Sequence, residues 1–329
     1  MLNIFLATLS PMLTLFLCIA IGFTANKTKI LPANASKVMA KLETWVFFPA
    51  LSFSTMARYC TVDTINKHAV NFIFGVVCVT VAMSMAIPLA KLFIRQKGTE
   101  RGIYTYALAF ANGGYVGDPV VQALFGDEVL SYYKLFYLPL NIVIYTWGIK
   151  QLVPNGEQKR GLLKQILNAP TAAMLLGVFV GLTGIGKYIP DFANNALNSL
   201  KACMGPVAML LAGFTIANYN VLGMLKKGKI YVAALLRLFV LPMIIVFVIF
   251  GIKTAINHMF GTDINNSVLF LAFFSTASAL GLNTVVFPEA YGGNPETGAG
   301  MALISHTLCV ISIPIMYAVM VALFGPLSI

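Results

Sequence analysis

The sequence predicts an all-α polytopic membrane protein with ten transmembrane helices in two inverted repeats of five. Three observations support this prediction. Of 329 residues, 59% are hydrophobic and only 10% are charged, which is far from the composition of soluble domains. Apolar stretches of about 20 residues recur along the whole chain. Motifs of the first half return in the second half.

Ten spans follow from the requirement of about 20 apolar residues for each crossing. They are placed near 3–23, 35–57, 69–94, 102–125, 129–151, 165–186, 194–219, 230–254, 265–289 and 298–324. The first apolar run has no basic residue before it and is long for a signal peptide, so it is expected to be retained. The five cysteines are an odd number without metal-ligand spacing, which excludes a disulfide framework and a cysteine metal site.

The basic residues predict the orientation. Lys and Arg number 22 against 11 acidic residues. With the N-terminus outside, the cytoplasmic loops hold Lys27, Lys29, Lys91, Arg95, Lys97, Arg101, Lys150, Lys159, Arg160, Lys164, Lys226, Lys227 and Lys229. The opposite loops hold only Arg58, Lys67, Lys134, Lys187 and Lys253. The positive-inside rule therefore predicts a multi-pass protein of the cytoplasmic membrane with both termini extracytoplasmic, and it explains the positive charge without nucleic acid.

The two halves align with an offset of roughly half the chain. The aligned pairs are Pro32 with Pro190, Pro49 with Pro206, Phe110 with Phe274, Gly117 with Gly281, and Pro139 with Pro314. Because five spans per half is odd, the second copy must insert upside down, which is typical of secondary transporters. We expect a first repeat at 1–152, a cytoplasmic linker at 153–164 and a second repeat at 165–329.

The stretch "FANGGYVGDPVV" at 110–121 lies inside the fourth span and contains residues that interrupt helices. Gly117 and Pro119 predict a helix break, with Asp118 as the N-cap of a second half-helix. The paired stretch of the ninth span offers Gly281 and the cap Asn283. Broken helices crossing at the bilayer midplane would present N–H groups suited to an anion and carbonyls suited to a cation or proton donor.

The polar groups nearest this crossing either bind substrate or satisfy broken backbone. The predicted substrate-binding residues are Asn112, Gly113, Gly114, Tyr115, Asn141, Ser278, Gly281, Asn283 and Thr284. Asp118 is either a structural cap or a coupling group, and His306 either relays a proton or is a hydrogen-bonded interior residue. No metal and no cofactor are expected beyond H+ or Na+ as a coupling ion. Gly177 and Gly181 form a GxxxG motif suited to close packing within the fold or in a homodimer.

Five motifs together resemble the auxin efflux carrier family, which includes plant PIN auxin transporters and bacterial malate and malonate permeases. They are "WVFFPAL" (45–51), "NGGYVGDPVV" (112–121), "GPVAMLLAG" (205–213), "GLNTVVFPEAYGGN" (281–294) and "ALISHTLCVISIPIMY" (302–317). The resemblance implies a fold like that of the bile-acid sodium symporters. Its scaffold comprises spans one, two, six and seven, and its transport core comprises spans three to five and eight to ten around crossed helices four and nine. Relatives often have a proline at the second crossover, where this chain has Ala279 and Leu280.

We therefore expect a secondary transporter, a permease that moves a small organic anion by alternating access, with the lipid bilayer as its other partner. The half-helix dipoles and the resemblance favour a carboxylate. The alternative is a membrane-embedded sensor that binds its ligand in the same midplane pocket. An enzyme is not expected: an intramembrane aspartyl protease needs two carboxylates that share a proton, and no second Asp lies in a comparable apolar span. Nucleophile–base motifs and phosphate-binding loops are missing as well.

Overall fold

The computed structural model describes residues 2–153, 169–220, 223, 226–291 and 293–327, and these residues form helices without any β-strand. The helices before the linker are α1 (Leu2–Lys27), α2 (Ala35–Leu42), α3 (Phe48–Tyr59), α4 (Val62–Phe93), α5 (Thr99–Ala109), α6 (Asp118–Val143) and α7 (Ile149–Leu152). Those after it are α8 (Ala169–Thr183), α9 (Asp191–Ile216), α10 (Gly228–Leu235), α11 (Leu241–Phe260), α12 (Ser267–Thr276), α13 (Asn283–Tyr291) and α14 (Glu296–Phe324). Most of the predicted linker, 154–164, lies outside the described residues.

Four of the described helices are long and apolar enough to cross a membrane. They are His68–Phe93, Asp191–Ile216, Gly228–Phe260 and Glu296–Phe324. Shorter apolar helices cover Phe16–Lys27, Ala172–Thr183 and Ser267–Thr276. The structure thus agrees with the prediction of an all-helical, multi-pass membrane protein.

Wide π-turns join several helices, and three of the four described π-turns precede a proline. Glu43–Phe47 precedes Pro49, Gly113–Gly117 precedes Pro119, and Leu236–Val240 precedes Pro242. A proline lacks an N–H donor and clashes with the carbonyl of the preceding turn. A wider turn with i→i+5 bonds accommodates this clash, so these prolines sit in helices that continue through them.

Contacts between helix ends define two ends of the bundle. At the basic end, Lys229 Nζ donates to Phe93 O (2.9 Å), and Lys227 Nζ pairs with Glu296 Oε1 (3.1 Å). At the opposite end, Asn266 Nδ2 donates to Phe324 O (3.2 Å). Lys227 and Lys229, both predicted to be cytoplasmic, lie at the basic end.

Two lysines predicted to lie in loops at the opposite end are instead buried. Lys134 is 6% exposed and Lys253 is 9% exposed. Each has a polar partner, Asp118 for Lys134 and Asn266 for Lys253. A lysine can be buried when a carboxylate or amide oxygen accepts a hydrogen bond from its ammonium group. Hydropathy does not detect such partners, so it placed both lysines in loops.

The GxxxG motif packs within the chain. A Cβ atom added to Gly177 would lie 2.6 Å from Phe53 O, and one added to Gly181 would lie 2.6 Å from Cys60 O. Both glycines therefore let α8 approach α3 closely, the intramolecular use of the motif. Whether the protein also forms a homodimer stays a prediction.

We predict that Gly177→Ala lowers the free energy of unfolding by about 1–3 kcal/mol, because the methyl group must displace the α3 backbone. Thermal unfolding of the purified protein in detergent measures the effect. Gly251→Ala is the matched control, since no atom lies within 4 Å of a Cβ there. Equal stability of the two variants would contradict the packing role of Gly177.

Candidate functional site

Two interrupted helices meet through their backbones. Helix α5 ends at Ala109, and Phe110 has extended dihedral angles (φ −119°, ψ 129°) before the helical run that begins at Gly113. The second interruption separates α12 from α13. Ala111 and Leu280 form an isolated antiparallel β-bridge, with Asn112 N–H donating to Ala279 O (2.7 Å) and Gly281 N–H to Phe110 O (3.3 Å). Residues 102–125 therefore do not form one continuous helix, which confirms the prediction that the fourth span is interrupted.

Side chains satisfy further backbone groups of the crossing. The Tyr137 hydroxyl donates to Ala111 O (3.2 Å), and Leu280 N–H donates to Ser305 Oγ (3.3 Å). Gly113 permits the Tyr137 contact, because a Cβ at this position would lie 2.4 Å from the tyrosine ring. Sequence reasoning missed Tyr137 and Ser305, and nothing in their local sequence signals that they bond the interrupted backbone.

The first break lies earlier than predicted. Gly117 (φ −64°, ψ −47°) and Asp118 (φ −56°, ψ −55°) both have right-handed helical dihedral angles. The prediction of a break at Gly117 and Pro119, with Asp118 as N-cap, is therefore wrong. The helix continues from the π-turn Gly113–Gly117 through Pro119. The interruption lies before Gly113.

The predicted cap Asn283 is also wrong. Helix α13 begins at this residue, but its Nδ2 donates to the Tyr106 hydroxyl (2.7 Å). Its Oδ1 is buried and has no hydrogen-bond partner among the described residues, so it caps no backbone N–H. This oxygen can instead accept a hydrogen bond at the crossing, where Asn283 lines a cavity.

A small cavity of about 50 Å³ adjoins the crossing. The predicted binding residues in its lining are Asn112, Gly113, Gly114, Asn141, Gly281 and Asn283. Ser278 and Thr284 are buried outside this lining; the Thr284 hydroxyl donates to Gly281 O (3.0 Å). The side chain of Tyr115 lies outside the part of the chain that the structure describes. In this conformation the crossing cavity has room for only a few water molecules.

A wider cavity of about 520 Å³ adjoins the small one. Both are lined by Leu51, Gly114, Lys134 and Met204. The wider cavity adds Asp118 and Lys201 to these walls. Its volume falls in the range of small-molecule sites, about 300–1,000 Å³. We call the crossing cavity and the wide cavity together the central pocket.

Asp118 and Lys134 form an ion pair in the wall of the central pocket. Lys134 Nζ contacts Asp118 Oδ2, and the two side chains are 7% and 14% exposed, respectively. Sixteen residues of straight helix would separate them by about 24 Å. Gly126 (φ 79°, ψ −176°) breaks α6 midway between them and reverses the chain. This reversal brings Lys134 back to Asp118, whose second oxygen, Oδ1, is buried without a hydrogen-bond partner among the described residues.

His306 contacts the crossing and not Asp118. Its Nδ1 lies 2.7 Å from Ala302 O, and its Nε2 lies 3.0 Å from Asn112 Nδ2. A carbonyl only accepts hydrogen bonds, so Nδ1 must carry a proton, and in the neutral ring Nε2 accepts from the Asn112 amide. The two predicted coupling groups therefore have different partners: His306 contacts Ala302 and Asn112, and Asp118 contacts Lys134. Among the described residues, no cluster of three His, Cys, Asp or Glu residues could hold a metal ion.

Comparison with known proteins identifies the family. A family model described as "Membrane transport protein" matches residues 7–160 and 158–317. An uncharacterized transporter of Methanothermobacter thermautotrophicus is 23% identical over 217 residues, which cover 65% of this chain and 69% of that protein. An uncharacterized transporter of Methanocaldococcus jannaschii is 21% identical over 210 residues, covering 62% and 68%. Transporter names agree with the expectation that the chain is not an enzyme. The chain belongs to the membrane transport protein family, the auxin efflux carrier family that its motifs resemble.

Proposed function

We propose that the protein is a secondary transporter that moves a small organic anion, a carboxylate, through the central pocket by alternating access. The observation that carries this proposal is the antiparallel bridge between Ala111 and Leu280, beside which half-helices begin. Crossed broken helices next to a pocket are the arrangement in which secondary transporters bind substrate near the midplane.

The proposal includes a topology of ten spans in two inverted repeats. The matches of one family model to both halves support the repeat. In this topology α5 and the part of α6 before Gly126 form the fourth span, and α12 and α13 form the ninth. The basic end faces the cytoplasm, both termini lie outside, and the protein resides in the cytoplasmic membrane. The spans resembling the symporter scaffold and transport core then move relative to each other.

The charges of the central pocket favour an anion. Two lysines, Lys134 and Lys201, line this pocket together with Asp118, and lysine ammonium groups form strong hydrogen bonds with carboxylates. The half-helices that begin at Gly113 and Asn283 direct partial positive charge toward the crossing. A monocarboxylate, or one carboxylate of a larger anion, would be attracted by these ammonium groups and half-helix ends.

The shape of the pocket supports alternating access. The walls of the wide cavity include Gln122, close to the Gly126 turn, and Asn198, in the early turns of α9. These positions lie toward the opposite end of the bundle. Toward the basic end, Thr215 Oγ1 donates to Glu289 Oε1 (3.3 Å) and joins α9 to α13. In the proposed cycle this conformation is the one in which substrate enters from the extracytoplasmic side, while the crossing cavity is still too small to hold it.

The ion pair supplies a means of proton coupling. Lys134 occupies Asp118 Oδ2 and takes the place that a coupling cation such as Na+ would need. A proton on Asp118 would release Lys134, whose ammonium group could then bind the carboxylate of the substrate. Proton and substrate anion would enter together with no net change of charge at the pair. The hydrogen bond between Asn112 and His306 would keep the crossing in place during this exchange.

Transport in proteoliposomes tests the anion site. We predict that Lys134→Gln lowers carboxylate uptake at least tenfold, because the substrate loses its cation. Lys253→Gln is the matched control, a buried lysine whose partner is Asn266 at the opposite end, and it should retain uptake. Saturable flux in vesicles without any partner protein excludes a sensor. Failure of the wild type to take up any member of a broad carboxylate panel would contradict the proposal.

A second prediction concerns coupling. Asp118→Asn should retain substrate binding, because Lys134 is free, and should lose the stimulation of uptake by an inward proton gradient. Uptake with and without a pH gradient, in the presence and absence of Na+, measures this. Glu128→Gln, an exposed acid on the same helix, is the control and should keep the wild-type response. An unchanged proton response in Asp118→Asn would show that another group couples transport.

A further inference from the structure

One fully buried cation belongs neither to the central pocket nor to an ion pair. Arg237 is the second residue of the π-turn Leu236–Val240, which lies between α10 and α11. Its side chain is 1% exposed and is among the largest fully buried side chains of the protein. The two described ion pairs use Lys134 and Lys227, and the lining of the central pocket does not include Arg237.

The guanidinium group has unmet hydrogen bonds. Its Nε, Nη1 and Nη2 are all buried and have no hydrogen-bond partner among the described residues. Arginine stays protonated in proteins and can only donate. An uncompensated buried charge destabilises a fold strongly, and at bilayer depth such a charge normally has a partner or a function. The structure thus shows a donor group in need of an acceptor.

Among the described residues, the groups that act electrostatically on Arg237 are neutral side chains. Its electrostatic neighbours are Tyr137, Cys78 and Cys309, and the buried Ser312 hydroxyl next to Cys309 has no hydrogen-bond partner among the described residues. No carboxylate is among these neighbours. Tyr137 also donates to Ala111 O, so the positive charge lies one side chain behind the crossing.

We infer that Arg237 binds a monovalent anion inside the helix bundle, a site distinct from the Lys134 site of the central pocket. The acceptor is either a free halide or the carboxylate group of a small organic anion, since both match the donors of a guanidinium group. The bound anion balances the charge behind the crossing. This inference concerns binding and holds whether or not the protein transports carboxylates.

Thermal unfolding of the purified full-length protein in detergent tests the inference. Chloride or acetate replaces isethionate, a bulkier sulfonate, at constant ionic strength. An anion that binds only the folded protein raises its apparent Tm, and we expect a rise of about 3 °C or more in the wild type. Arg237→Met, an apolar side chain of similar length, should lose this rise. Lys253→Met, which removes a buried cation with a protein partner, should keep it.

The two anions identify the source of the acceptor. A rise with chloride assigns a halide site, and a rise with acetate alone assigns a carboxylate site, provided that Arg237→Met abolishes it. The same rise in the wild type and Arg237→Met, or no rise with either anion, would overturn the inference. If Arg237→Met cannot be purified, equilibrium binding of radiolabelled chloride and acetate to Lys134→Gln, which lacks the pocket cation, decides: retention of either anion supports the site, and retention of neither overturns it.

Discussion

The pairing of interrupted backbone is the constraint on which the rest of this structure depends. A bilayer offers no water to unpaired N–H and C=O groups, so a helix can break only where protein supplies their partners. Here each break supplies partners to the other, through the bonds that flank Ala111 and Leu280. Tyr137 and Ser305 bond further groups of the same segments. The crossing therefore fixes two half-helix ends beside a pocket while pairing these backbone groups.

Several buried charged residues lie close to this crossing. The Gly126 turn folds α6 back on itself and places Lys134 against Asp118, so a carboxylate and an ammonium group compensate each other in the pocket wall. Lys201 lines the central pocket, whereas Arg237 lies outside its lining, near Tyr137. Both proposals start from these cations: an anion in the central pocket would bind at Lys134, and an anion behind the crossing would accept the unmet hydrogen bonds of Arg237. The proposed proton coupling depends on competition between Asp118 and substrate for Lys134.

Sequence patterns predicted the helical class, the family and the existence of the first break, because hydrophobic composition and the glycines of 112–117 are local signals. The position of the break was wrong because prolines usually interrupt helices, whereas the π-turn Gly113–Gly117 lets the helix pass through Pro119. Lys134 was assigned to a loop, since its partner is brought close only by the chain reversal at Gly126. The unmet donors of Arg237 depend on which helices surround it, and no local pattern encodes that.

Disulfide cross-linking across the crossing tests the central claim most directly. The bonds that flank Ala111 and Leu280 make them a non-hydrogen-bonded antiparallel pair, with Cα atoms about 4.5 Å apart, which suits a disulfide. In a variant without native cysteines, Ala111→Cys with Leu280→Cys should cross-link rapidly under mild oxidation, detected as a bridged pair of peptides by mass spectrometry. Ala111→Cys with Leu271→Cys, in the middle of α12, should not. Failure of the first pair, or equal cross-linking of both, would contradict the crossing.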